Sequence, residues 1–246
     1  MVKGFRKVAP APQTRLPITI SVLKHLTSSL SSILQSHYQV VMYKAMFLLA
    51  FHACLRIGEI TSKPGQQHNL HMSDVTFLHL PSSPLDSILI TFRSFKHSKP
   101  HDIKQLEVVE VPETRPVQSL KVYLSLRGPS PGPLFMWQDT LPVTYSQFTK
   151  VLTSALNFAG YSTSHNKSHS FRIGQATLAL QQGLTQLQIM KLGRWSSAAH
   201  LKYLLPTSLS SWLSSWRWFF LLSVWWLWRK SCTNIDPWYS VLSKSL

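Results

Sequence analysis

Acid is scarce in this chain. Only 9 of its 246 residues are Asp or Glu, against 25 Lys plus Arg. So few carboxylates exclude a metalloenzyme built on a carboxylate cage. Cysteine is scarcer still. Cys54 and Cys232 are the only two, which excludes a disulfide scaffold and any Cys-rich zinc module. The start, Met1 to Pro12, carries Lys3, Arg6 and Lys7 but no apolar run, so it is no secretory signal. The longest apolar stretch, Trp216 to Trp228, is interrupted by Arg217 and Ser223. It falls short of the roughly 18 apolar residues that a spanning helix needs, so no membrane segment is expected.

What remains is a globular composition: 44% hydrophobic and 11% aromatic, with charged residues at 14%. The net charge is +16. A chain this basic with so few charges in total suits a polyanion. Nucleic acid is the first candidate and an acidic membrane surface the second. Composition changes after about residue 205. Seven of the nine tryptophans lie beyond it, with Asp236 as the sole acid there. We read 1–15 as the end of a preceding segment or linker, 16–205 as the domain and 206–246 as an atypical Trp-rich tail. Residues 1–205 keep 21 basic against 8 acidic side chains, a net +13.

The expected fold class is α+β: a mainly helical domain with a small three-stranded antiparallel sheet. Thr19 is placed to cap a first helix on which Leu23, Leu26, Leu30 and Ile33 recur at helical spacing. A second helix over 38–54 is apolar on nearly every side and should be buried. Strand-like runs cover 73–80, 86–95 and 105–111, with a hairpin tip at His97 to Asp102. Helices are expected over 116–126, then 145–159 capped by Thr144 and stopped by Gly160. Three more cover 170–183, 185–192 and 197–204.

Four segments could carry chemistry. They are Leu55-Arg56-Ile57-Gly58-Glu59 at the end of the second helix, Phe95-Lys96-His97-Ser98-Lys99 at the hairpin, His169-Ser170-Phe171-Arg172-Ile173-Gly174 at a helix start, and Gly193-Arg194-Trp195 with Tyr203 eight residues after the Trp. Each has an ordinary reading when taken alone. Arg56 can pair with Glu59 three residues on. His169 can be a capping residue and Arg172 a surface arginine. Lys96 can be a solvated hairpin lysine, and Trp195 and Tyr203 can be packing residues. His165 and His169, four apart, suggest a metal pair but lack a third ligand nearby.

Together the segments are a kit for phosphoryl transfer. A tyrosine hydroxyl is a nucleophile. Two guanidiniums grip non-bridging phosphate oxygens and offset charge that grows in the transition state. A lysine can protonate the leaving oxygen, and a histidine and an indole N–H add hydrogen bonds. Lys96 is preferred to Lys99 because it directly follows the strand run, whereas Lys99 sits beside Pro100.

In this order and spacing, residues 16–205 resemble the catalytic domain of tyrosine recombinases, the phage-integrase family. The segments His-Ser-Phe-Arg-Ile-Gly and Gly-Arg-Trp-Ser-Ser most resemble recombinases of eukaryotic mobile elements. The resemblance implies Arg56, Lys96, His169, Arg172, Trp195 and Tyr203 as catalytic positions, with Glu59 supporting Arg56. Trp195 stands where many members carry histidine. It also implies cleavage and rejoining of double-stranded DNA through a 3′-phosphotyrosine, with no metal or nucleotide cofactor, by a homotetramer assembled on DNA. A nuclear location would follow for a eukaryotic protein, although no targeting signal is visible. Members normally carry a helical DNA-binding domain ahead of this one, and the chain starts about where that domain should end. The tail departs from the family and reads as out-of-frame or readthrough sequence, with a membrane-surface or interface contact as the alternative. Two alternatives stand beside this reading: a catalytically dead DNA-binding relic, and a strand-passing enzyme like the type IB topoisomerases.

Overall fold

The computed structural model describes residues 15–64, 69–79, 85–94 and 102–195. Lys96, Lys99, Tyr203, the helix expected over 197–204 and the whole tail 206–246 lie outside the described residues.

Among the described residues, six α-helices and three strands form in the order the sequence suggests. Helix α1 spans Ile20–Ile33. Thr19 Oγ1 accepts from the Val22 N–H at 3.3 Å, satisfying one of the free donors of the first turn. Leu23, Leu26 and Leu30 are fully buried along one stripe, packed against α2 (His37–His52) and α4 (Tyr145–Phe158). Helix α2 is the centre of the described residues. From Ala45 to Phe51 every residue is 0–1% exposed, because α1, α3 (Pro116–Arg127) and α5 (Ser170–Gln181) cover it from several sides. Each buried Leu or Phe there contributes roughly 1.5–3 kcal/mol. Helices α4 and α6 (Gln186–Gly193) begin with reciprocal caps. Thr144 and Gln147 exchange bonds, as do Thr185 and Gln188.

Strands β1 (Val75–Leu78), β2 (Ser87–Phe92) and β3 (Lys104–Val109) pair antiparallel with β2 in the middle. Thr76 stands opposite Leu89, and Leu89 opposite Glu107. Ile88, Ile90 and Phe92 alternate onto the buried face of β2 at 0–1% exposure. No described helix is long and apolar enough to cross a membrane.

Four helices end alike, and the exceptions among them locate the site. In each, a residue two or three places past the helix donates to the carbonyl five back, while the residue before it adopts a left-handed conformation. Glycine takes that position after α4 (Gly160, φ 75°) and after α5 (Gly183, φ 83°). After α2 it is Cys54 (φ 48°), with Leu55 N donating to Ala50 O at 3.0 Å. After α6 it is Arg194 (φ 52°), with Trp195 N donating to Met190 O at 3.0 Å. A non-glycine residue there costs on the order of 1 kcal/mol. The turn at Cys54 also corrects the sequence reading of Arg56. Helix α2 stops at His52, and Arg56 instead opens a separate 3₁₀ turn, Ile57–Glu59.

Candidate active site

Arg172 sits in the first turn of α5 and is 1% exposed. Its Nη1 donates to the carbonyl of Cys54 at 2.6 Å and its Nη2 to the carbonyl of Gly193 at 2.7 Å. Its guanidinium carbon lies 4.5 Å from the centre of the Trp195 ring. The two strained turns thus offer their carbonyls to one buried cation. The surface reading of Arg172 is thereby overturned. Among the described residues it has no carboxylate partner. Burial pushes its pKa down, and the nearby charges of Arg56 and Arg194 act in the same direction. Carbonyl dipoles and an indole face thus take the place of a counter-ion around this buried cation.

Glu59, 2% exposed, holds the other side together. Its Oε2 accepts from the backbone N–H of Arg56 at 2.8 Å, and its Oε1 from Arg56 Nη1 at 3.1 Å. Its Oε2 also accepts from Arg194 Nη2 at 2.7 Å. The Arg56 side chain keeps 24% of its surface open, whereas Arg194 keeps 3%. Arg194 is further fixed by a 3.4 Å bond from Nη1 to Ala53 O, and it stacks 3.9 Å from the ring of Phe92, the last residue of β2. Two guanidiniums therefore meet one carboxylate, and with Arg172 near them the four side chains carry a net +2. Gly193 permits the arrangement. A Cβ there would stand 1.9 Å from the Trp195 ring.

The structure brings Arg56, Glu59, Arg172 and Trp195 into this network. His169 stands at the N-cap position of α5, three residues before Arg172, without a side-chain capping bond. It lines a cleft of about 250 Å³ with Arg15, Tyr145, Thr149 and Lys167, whose lining includes neither Arg56 nor Arg172. His165 shares hydrogen bonds with Ser162 and Ser164, and no group of three potential metal ligands exists among the described residues. The residue that sequence reasoning missed is Arg194. It was noticed only as the middle of Gly-Arg-Trp, because its partner Glu59 lies 135 positions upstream.

A helical domain with a three-stranded meander, carrying two arginines on adjoining turns, has the fold of tyrosine recombinase catalytic domains. XerA recombinase superimposes with a TM-score of 0.57 at 18% identity, over 90% of this chain and 67% of that one. A λ integrase dimer bound to a core site gives 0.57 at 13% identity, over 85% and 53%. XerH site-specific recombinase bound to its difH substrate gives 0.55 at 17%, over 77% and 50%. The chain thus spans half to two thirds of the length of these recombinases. No curated protein matches it. The phage integrase family model matches residues 22–204, and the chain belongs to that family.

Proposed function

We propose that this chain is the catalytic domain of a site-specific tyrosine recombinase acting on double-stranded DNA. The observation that carries the reading is the buried Arg172, held by two carbonyls beside the half-open Arg56. Two guanidiniums so placed can grip the non-bridging oxygens of one phosphodiester and offset the charge that grows on them. Tyr203 Oη gives its proton to solvent as it attacks phosphorus, and the bond to the 5′ oxygen breaks. That oxygen leaves as a hydroxyl, taking its proton from Lys96, and a 3′-phosphotyrosine remains. Attack by the 5′ hydroxyl of a second strand reverses the step, regenerates Tyr203 and conserves the bond energy without a nucleotide. Trp195 donates its indole N–H to the phosphate, and His169 a ring N–H. The family resemblance implies a homotetramer on two duplexes, and the His-Ser-Phe-Arg-Ile-Gly and Gly-Arg-Trp-Ser-Ser segments suggest an origin in a eukaryotic mobile element.

Two labelled duplexes sharing a core, incubated with the full chain, test the proposal. A recombinase joins strands between duplexes. Relaxation of a supercoiled plasmid without any exchange would indicate a strand-passing enzyme instead, and DNA binding with neither outcome would indicate an inactive binding protein.

A further inference from the structure

We infer that Arg194 is a positioning residue for Arg56, acting through Glu59; this rests on the recombinase reading above.

Glu59 and Arg56 alone would form a neutral pair. A buried carboxylate with a single cationic partner holds that partner strongly, and Arg56 would then offer a phosphate little uncompensated charge. Arg194 changes this balance. Its Nη2 lies 2.7 Å from the same oxygen, Oε2, that accepts the Arg56 backbone N–H. The carboxylate is thus shared between two guanidiniums, and one unit of positive charge stays uncompensated within the triad.

The geometry shows which arginine is left free to act. The Arg194 side chain is 3% exposed, stacked on Phe92 and bonded to Ala53 O, so its charge is committed to the interior. Arg56 touches Glu59 through one side-chain nitrogen at 3.1 Å and keeps 24% of its side chain open. Arg194 therefore orients Glu59, and Glu59 fixes the turn from which Arg56 projects. The same residue sets Trp195. Its left-handed backbone sends the next residue back so that the indole covers Arg172. One position thus couples both guanidiniums that would grip the phosphate.

The test uses the full chain with Arg194→Met, Arg194→Lys, Glu59→Gln and the Arg194→Met/Glu59→Gln double variant. Covalent adduct formation on a nicked duplex gives the rate at saturating protein, and uncut duplex gives the Kd. Side-chain NMR of ¹⁵N-arginine reports on Arg56. Arg194→Met should slow the reaction about tenfold or more while Kd stays within about threefold. Arg194→Lys should recover part of the rate. The double variant should be no slower than the slower single one, because both act through one carboxylate. The Arg56 signal should shift in Arg194→Met. Additive losses, or a rate loss that merely tracks lost folding or lost binding, would overturn the inference. If the parent chain forms no adduct, the recombinase reading fails. The Arg56 signal then decides alone: a shift supports positioning by Arg194, and an unmoved signal overturns it.

Discussion

Arg172 and Cys54 lie 118 positions apart, and the guanidinium of the first donates to the carbonyl of the second at 2.6 Å. A lysine in place of Arg172 keeps the charge, but its single ammonium cannot reach both Cys54 O and Gly193 O in the same fork. One buried carbonyl is then left without its donor. Arg172→Lys should therefore lose about 1–3 kcal/mol of stability in urea unfolding, as well as activity. An unchanged midpoint would show that the two carbonyls do not depend on the fork.

Two glycines hold the surroundings in place. At Gly174 an added Cβ would meet the carbonyl oxygen of Ile18 at 1.8 Å, and this is backbone, which cannot rotate away. The extended segment before α1 is itself tied to α5 by Ile18 N donating to Ser170 O at 3.0 Å. Gly174→Ala should push that segment off and cost roughly 1–3 kcal/mol in denaturant unfolding. At Gly193 the atoms nearest an added Cβ belong to the Trp195 ring, a side chain that can shift. Gly193→Ala should quench or shift Trp195 fluorescence with a smaller loss of stability.

Much of this architecture was legible in the sequence. Thr19, Thr144 and Gly160 stand where the caps are, since the signal for a helix end is local chemistry. The three strands fell within a few residues of their observed ends. The pairing of Arg56 with Glu59 was visible because the two lie three residues apart. The end of α2 was not legible, because a cysteine took the left-handed place that usually announces itself as glycine. Nor was the burial of Arg194, whose partners Glu59, Ala53 and Phe92 are all remote in sequence. One clue existed. A lone glutamate among apolar residues, in a domain with 21 basic side chains, invites more than one cationic partner.

Stability should depend on pH through His52. Burial lowers its pKa from 6.5 to about 4, and its ring shares a 2.9 Å hydrogen bond with Thr114 Oγ1. The folded state therefore keeps the ring neutral, while the unfolded chain takes up a proton below the ordinary value. The contribution is fully present above about pH 6.5 and is lost as pH falls toward 4, by about 3 kcal/mol in all. Urea midpoints measured across that window should fall less steeply for His52→Gln than for the parent chain.

DNA binding should be dominated by phosphate contacts, given the net +13 of residues 1–205. On duplexes that lack a recombination core, the logarithm of the affinity should fall linearly and steeply with the logarithm of salt concentration, whatever their sequence. Fluorescence anisotropy on two unrelated duplexes measures this. A flat salt dependence would contradict it.

The central claim is that Tyr203 is the nucleophile. A suicide duplex nicked next to the scissile phosphate loses its short 5′ fragment on cleavage and so traps the covalent intermediate. On a denaturing gel the parent chain should run as a protein–DNA adduct with this substrate. Tyr203→Phe removes one hydroxyl with little change of volume, so DNA binding should persist while the adduct disappears. An adduct formed equally well by Tyr203→Phe would contradict the account and move the nucleophile to another residue.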